Sequence, residues 1–197
     1  DIYALLEVFG NSSLNDLCTA LNTACQTNQY KYIENSTANQ GMACFIYNSN
    51  TVIPFKELQK NRLADNGYLP DRKIAQAFDL KANNERFIVC LNHWKAKDNS
   101  YNKPDEYADT GDGQGSHVLR RVHEAEATLE FIKTVTAYFE DEDVLIVGDL
   151  NSYSKEDPIR VLEEGELINE LQKYAPNEYS YAFFSNNSYA TGYLDHS

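Results

Sequence analysis

The chain runs to 197 residues, with 42% apolar, 12% aromatic and 24% charged side chains. That is enough to bury a core without disulfide or metal staples, and it excludes a disordered or collagen-like chain. Thirty acidic against 17 basic side chains give a net charge of −13. There is thus no global basic footprint of the kind that dominates nonspecific nucleic-acid binding, and a polyanionic substrate would need local cations or a bound metal.

In chain order, residues 2–8 read as a buried opening strand, with no basic, apolar and cleavage-site succession of a leader before it. No apolar run approaches the length of a membrane span. Asn11, Ser12 and Ser13 resemble a helix start, with Asp16 three residues after Ser13 as a capping-box partner. Leu14, Leu17, Cys18, Leu21 and Cys25 continue as an apolar stripe at helical spacing. Cys18 and Cys25 then lie about 10 Å apart along the helix axis, too far for a disulfide. Cys44 and Cys90 fall in separate apolar runs and read as buried thiols, with a cross-strand bridge as the second reading. No Cys/His spacing suggests zinc.

Short β-branched and aromatic runs at 42–47, 52–55, 74–80 and 87–91 are separated by Asn, Asp, Gly and Pro, so they read as strands joined by hairpins. Residues 95–115 lose periodicity and end in the acidic, glycine-rich stretch 109–115, a long loop. Val118, Val122, Ala125, Leu129, Ile132, Val135 and Phe139 step by three or four and mark a helix, with Arg120, Glu124, Glu130 and Lys133 on its polar face. Residues 144–147 read as a strand covered on both faces, Pro158 as a helix start, and 179–184 and 190–194 as closing strands. No repeat or linker interrupts the chain, so 1–197 reads as a single α+β domain. Both ends fall in mid-pattern, the expectation for a domain cut at each end.

The polar residues fall in a telling place. Glu7, His93, Asp149 and Asp195 each follow an apolar run, so four strands would deliver them near their carboxyl ends. If those ends share one sheet edge, the four groups converge. Clustered carboxylates repel unless a cation is present, and such oxygen donors suit a hard ion such as Mg2+, held by one or two carboxylates with water and substrate phosphate. Asn151, two residues beyond Asp149, adds an amide able to orient water or a phosphate oxygen. Singly, each residue has a structural explanation: a strand-end charge, a satisfied histidine, a turn of Gly, Asp and Asn. Jointly they point to metal-assisted hydrolysis of a phosphate ester.

Gly148-Asp149-Leu150-Asn151-Ser152, with Asn92-His93-Trp94-Lys95-Ala96-Lys97 upstream and Gly192-Tyr193-Leu194-Asp195 downstream, resembles the endonuclease/exonuclease/phosphatase superfamily, the fold of deoxyribonuclease I. The resemblance is nearest to bacterial secreted-nuclease-like members. Weaker matches come from Tyr47-Asn48, from Arg72 before 74–78, and from Gly113-Gln114-Gly115 leading to Arg121 and Glu124. It implies an α+β, four-layer α/β sandwich of two packed mixed sheets flanked by helices, truncated at both ends. It also implies roles: Glu7 as the Mg2+ ligand (with Mn2+ or Ca2+ as alternatives), His93 as a phosphate contact, and Asp149 as the carboxylate that positions or activates water. Asn151 would stabilise the pentacoordinate transition state, and Asp195 would be a further active-site carboxylate. Arg72, Lys95, Lys97 and Arg121 would offset the chain's acidity as substrate-binding cations.

The implied activity is that of a metal-dependent phosphodiesterase, a nuclease acting on nucleic-acid backbones in an extracellular or periplasmic setting, with no protein partner. A phosphomonoesterase or sphingomyelinase-like phospholipase of the same superfamily is the alternative within enzymes. A noncatalytic binding domain or inactive fragment is the alternative outside them. The family's opening asparagine strand and closing Ser-Asp-His segment find no match in this sequence, and His196 is not assigned the role of that closing histidine. On that reading the chain is catalytically incomplete.

Overall fold

The computed structural model describes residues 2–35, 41–63, 72–98, 107–185 and 188–196. The elements are β1 (Ile2–Val8), α1 (Gly10–Ala24), β2 (Tyr30–Ile33), β3 (Met42–Asn48), β4 (Val52–Lys60), β5 (Lys73–Leu80) and β6 (Arg86–His93). They are followed by α2 (Val118–Phe139), β7 (Val144–Asp149), α3 (Asp157–Glu164), α4 (Glu170–Tyr174), β8 (Tyr181–Ser185), β9 (Ser188–Gly192) and β10 (Asp195–His196). Three strands form one sheet in the order β1-β3-β2, five form a second in the order β10-β7-β6-β5-β4, and β8 and β9 pair as a separate hairpin.

Period-two alternation makes the layers. On β3, Ala43 and Phe45 face the second sheet, where they meet Val52, Ile74, Phe78, Val89 and Leu91. The intervening Cys44 and Ile46 face the other way, onto Leu14 and Cys18 of α1. The second sheet repeats the device. Val89 and Leu91 point into the inter-sheet core, while Ile88 and Cys90, with Ala75 and Ala77, receive Phe131, Val135 and Phe139 of α2. The two small alanines leave room for the phenylalanine rings of the helix. The result is helix, sheet, sheet, helix: the four-layer sandwich expected from the resemblance. Phe45 and Phe78, both fully buried, meet edge to face with centroids 5.8 Å apart, and truncating either to alanine would cost roughly 3–5 kcal/mol.

Several sequence expectations are corrected. β3 and β4 do not form a hairpin, because both faces of β3 are apolar and the turn after it carries the chain from one sheet to the other. Hairpin pairing does hold for β4 with β5 and for β5 with β6. β4 runs on to Lys60 past a register shift between Phe55 and Gln59, with Lys56 in a left-handed conformation (φ 56°) that breaks the alternation read from sequence. α1 starts at Gly10, and the Ser13 hydroxyl donates to the Phe9 carbonyl rather than capping the helix. Leu17 and Cys25 are exposed, so the buried stripe of α1 is narrower than its spacing suggested. β7 is only partly covered, with Leu145 exposed. All four cysteines are free, and burial pushes the thiols of Cys44 and Cys90 up to about 12. Among the described residues no helix is long and apolar enough to cross a membrane.

Candidate active site

β6 and β7 run parallel with His93 opposite Asp149, so both strands end at the same sheet edge. The crossover between them is α2, as a parallel pair requires. β10 then pairs antiparallel to β7 and sets Asp195 opposite Asp149. Asp195 therefore arrives at the amino end of its strand, not the carboxyl end read from sequence, and reaches the same edge because the strand direction is reversed. Glu7 comes from the other sheet, near the end of β1. Its carboxylate lies 3.8 Å from His93 Nε2, and Asp149 lies 3.9 Å from the same nitrogen. The convergence is across two sheets rather than along one edge.

Unusual backbone shapes each side of this cleft. Glu7 is left-handed (φ 57°) within the irregular stretch of β1 between Leu5 and Val8. Gly41 lies beneath it, where an added Cβ would stand 3.1 Å from Glu7 Cα. Arg72 holds the Gly41 carbonyl through Nε at 3.1 Å. Opposite, Gly148 has φ 129°, and a Cβ there would fall 2.0 Å from the Asn92 carbonyl oxygen. Asn151 is also left-handed (φ 49°), which lets its backbone N–H donate to Asp149 Oδ1 at 2.9 Å while its side-chain amide donates to the Trp94 carbonyl at 3.1 Å. Sparsely populated backbone of this kind persists where the surroundings over-determine it, and it clusters at functional sites.

The electrostatics follow from burial and like charge. Desolvation, with the nearby Asp195 and Glu7 carboxylates adding to it, pushes Asp149 up to about 6, against the pull of the Asn151 N–H. Burial, with Arg72 and Lys73 nearby, lowers His93, opposed by Glu7 and Asp195. The donor set is hard oxygen and mutually repelling, which suits a hard cation. Among the described residues no three of His, Cys, Asp or Glu stand ready as a closed cage. Mg2+ asks for less, one or two carboxylates completed by water and phosphate, and Glu7, with its side chain 70% exposed, can supply one.

The structure does not bring all the sequence-read cations to this cleft. Arg121 is fully buried, and its guanidinium donates to Ser152 Oγ and to the carbonyls of Lys95, Ser116 and Gln114. Lys97 is paired with Glu156 and lies over the Tyr153 ring, and Lys95 pairs with Asp98 at 2.7 Å. Arg72 alone of the four is placed to act on His93. His196 is buried opposite Gly148, its Nε2 2.7 Å from the Ser152 carbonyl and its ring against Tyr193.

Two residues were missed. Lys73 and Glu124, 2% and 1% exposed, form an ion pair of 2.7 Å beneath the cleft. Helical spacing puts Glu124 on the polar face of α2, whereas the structure buries it. Lys73 carried a readable signal, a charge leading directly into the apolar run at 74–78. The 109–115 loop is a pinned surface turn. Asp109 and Asp112 accept the N–H groups of Gly111 and Gln114, and the Gln114 side chain bridges to Asp157 at the start of α3.

No protein-family model matches the chain, and no curated protein sequence does. Solved structures do resemble it. An endonuclease/exonuclease/phosphatase family protein of Bacteroides thetaiotaomicron is 18% identical with a TM-score of 0.65, the match covering 100% of this chain and 67% of that one. A mannosyl-6-phosphatase of the same organism is 17% identical with a TM-score of 0.66, covering 100% and 69%. TDP2 of D. rerio, solved with a single-strand DNA product, is 10% identical with a TM-score of 0.59, covering 100% and 69%. The fold is that of the endonuclease/exonuclease/phosphatase proteins.

Proposed function

We propose that the chain is a metal-dependent phosphoester hydrolase. The observation that carries this reading is the meeting of Glu7, His93, Asp149 and Asp195 from two sheets, in a fold shared with a phosphatase and with a protein solved on a DNA product. Glu7 would hold the Mg2+, which when bound supplies charge neutralisation to the phosphate oxygens. The chain's own groups do the rest. Asp149, fixed by the Asn151 N–H, orients the attacking water and accepts its proton, and burial gives it the basicity to do so. His93, with Arg72 behind it, donates to a nonbridging oxygen as charge develops there. Asp195, opposite Asp149, keeps the negative field that draws the cation in.

For substrate, the geometry favours a compact phosphate ester over a long nucleic-acid backbone. Arg121, Lys97 and Lys95, the cations that would track a polyanion, are engaged internally, and the net charge is −13. A nuclease reading stays open through Arg72 and the likeness to TDP2. An extracytoplasmic setting is part of the proposal by resemblance only. The test is turnover of a chromogenic phosphate monoester, a chromogenic diester, plasmid DNA and RNA with and without Mg2+, across a salt series. Mg2+-dependent hydrolysis of small esters, flat with salt, is expected. Nucleic-acid cleavage falling steeply with salt would establish the nuclease instead, and no hydrolysis of any of the four would defeat the hydrolase reading.

A further inference from the structure

His93 is oriented without help from its own ring. Its Nε2 stands 3.8 and 3.9 Å from Glu7 and Asp149, beyond hydrogen-bonding distance, and its buried Nδ1 has no hydrogen-bond partner among the described residues. Histidines that act in catalysis are ordinarily held by a group on the second nitrogen. Here the main chain has to do it, and the peptides after His93 are tied at each polar group. The Trp94 N–H donates to the Asp149 carbonyl at 3.0 Å, and the Trp94 carbonyl accepts from the Asn151 amide. The Lys95 N–H donates to Glu124 Oε2 at 2.9 Å, and the Lys95 carbonyl accepts from Arg121 Nη1 at 3.3 Å.

We infer that Arg121 and Glu124 are positioning residues for His93, gripping the Lys95 residue from α2 by its carbonyl and its N–H. This rests on the reading of His93 as the phosphate contact. The cost of the arrangement supports it. Two charges, Lys73 and Glu124, are taken wholly out of water, and such pairs are often no more stabilising than apolar residues of the same size. Packing alone therefore gives α2 little reason to carry a carboxylate at this point. The second oxygen of Glu124 does what no apolar residue could: it accepts the Lys95 N–H. Arg121 is braced in turn by Ser152, Ser116 and Gln114, so the grip is rigid and spans both strand ends that form the site.

The experiment compares two neutral pairs in the full-length protein. K73M/E124Q keeps an acceptor for the Lys95 N–H, whereas K73M/E124L does not, and both remove the Lys73–Glu124 pair whole, with the same loss of the Glu124 charge near Arg121. Measured are melting temperature, kcat and KM for a chromogenic phosphate ester, and the NMR signals of the His93 ring. Positioning predicts a sharp His93 signal and most of the wild-type kcat in K73M/E124Q. In K73M/E124L it predicts a broadened or doubled signal and a kcat reduced on the order of 10- to 100-fold with little change in KM. Unchanged kcat and ring signals in a folded K73M/E124L would overturn it. Should that variant fail to fold, R121K, which surrenders the guanidinium fork, is expected to show the same kcat loss and ring broadening, and its silence would be equally fatal. If the wild-type protein turns over nothing, the hydrolase reading falls and the His93 ring signals alone decide the positioning.

Discussion

The two walls of the cleft are built differently. On the β6 and β7 side, His93 and Asn151 are buried, Asp149 is half-buried, and the backbone that carries them is cross-tied by Gly148, Trp94, Lys95 and α2. On the β1 side, Glu7 stands on a bulge with its side chain 70% exposed, and Gly41 is the residue packed beneath its Cα. One wall fixes geometry and the other can adapt. For a phosphoester hydrolase this is a sensible division. Groups that meet the transition state lose least when preorganised, while a cation ligand has to accept a change of coordination as substrate arrives.

The largest effect expected is on the rigid wall. Asp149→Ala should lower kcat by roughly 10²–10⁴-fold while circular dichroism shows an intact fold; wild-type turnover would remove Asp149 from the mechanism. Next is Gly148→Ala, which drives a Cβ to within 2.0 Å of the Asn92 carbonyl at a φ of 129°. We expect a loss of roughly 3–5 kcal/mol in denaturant unfolding, and a loss under 1 kcal/mol would mean that the two strand ends are not locked. The adaptable wall should behave otherwise. Glu7→Gln should leave metal-free stability within about 0.5 kcal/mol of wild type, yet abolish the rise in melting temperature with Mg2+ that is expected of the wild-type protein. An undiminished Mg2+ response would place the cation elsewhere.

That asymmetry also explains what the sequence could reveal. His93, Asp149 and Asn151 were legible because each follows an apolar run whose length marks where a strand ends. The layers came from the family resemblance, since β3 and β6 are apolar on both faces and show no polar alternation to read. The engaged state of Arg121 and Lys97 was not legible, since charge type is visible in a sequence and a partner far along the chain is not; Lys97 meets Glu156 and Arg121 meets Ser152 only after the chain folds back. Glu124 was misread because helical periodicity divides a helix into apolar and polar faces. It cannot register a carboxylate that turns inward to meet a buried lysine. The reversed approach of Asp195 was hidden for a related reason: two residues of β10 are too short to carry a pattern.

The last test needs no substrate, only stability as a function of pH. Burial pushes the Asp149 carboxyl up to about 6 in the fold, above the ordinary aspartate value of 3.8. A folded-state pKa raised above the unfolded one means that the folded state binds the proton more tightly. Stability from this group is fully present below the unfolded pKa and is lost as pH rises through about 6. Metal-free wild-type protein should therefore gain from Asp149 as pH falls from 7 toward 4, even as other carboxylates act in the opposite sense. Asp149→Asn, which keeps an acceptor for the Asn151 N–H, removes only that contribution. At pH 7 it should exceed wild type by about 1–3 kcal/mol, with the gap closing by pH 4. Saturating Mg2+ should narrow the gap at pH 7, since a cation beside Glu7 relieves the repulsion that helps hold Asp149 up. Parallel stability curves for the two proteins across that range would mean that the rigid wall carries no electrostatic strain, and that the carboxylates are solvated independently of one another.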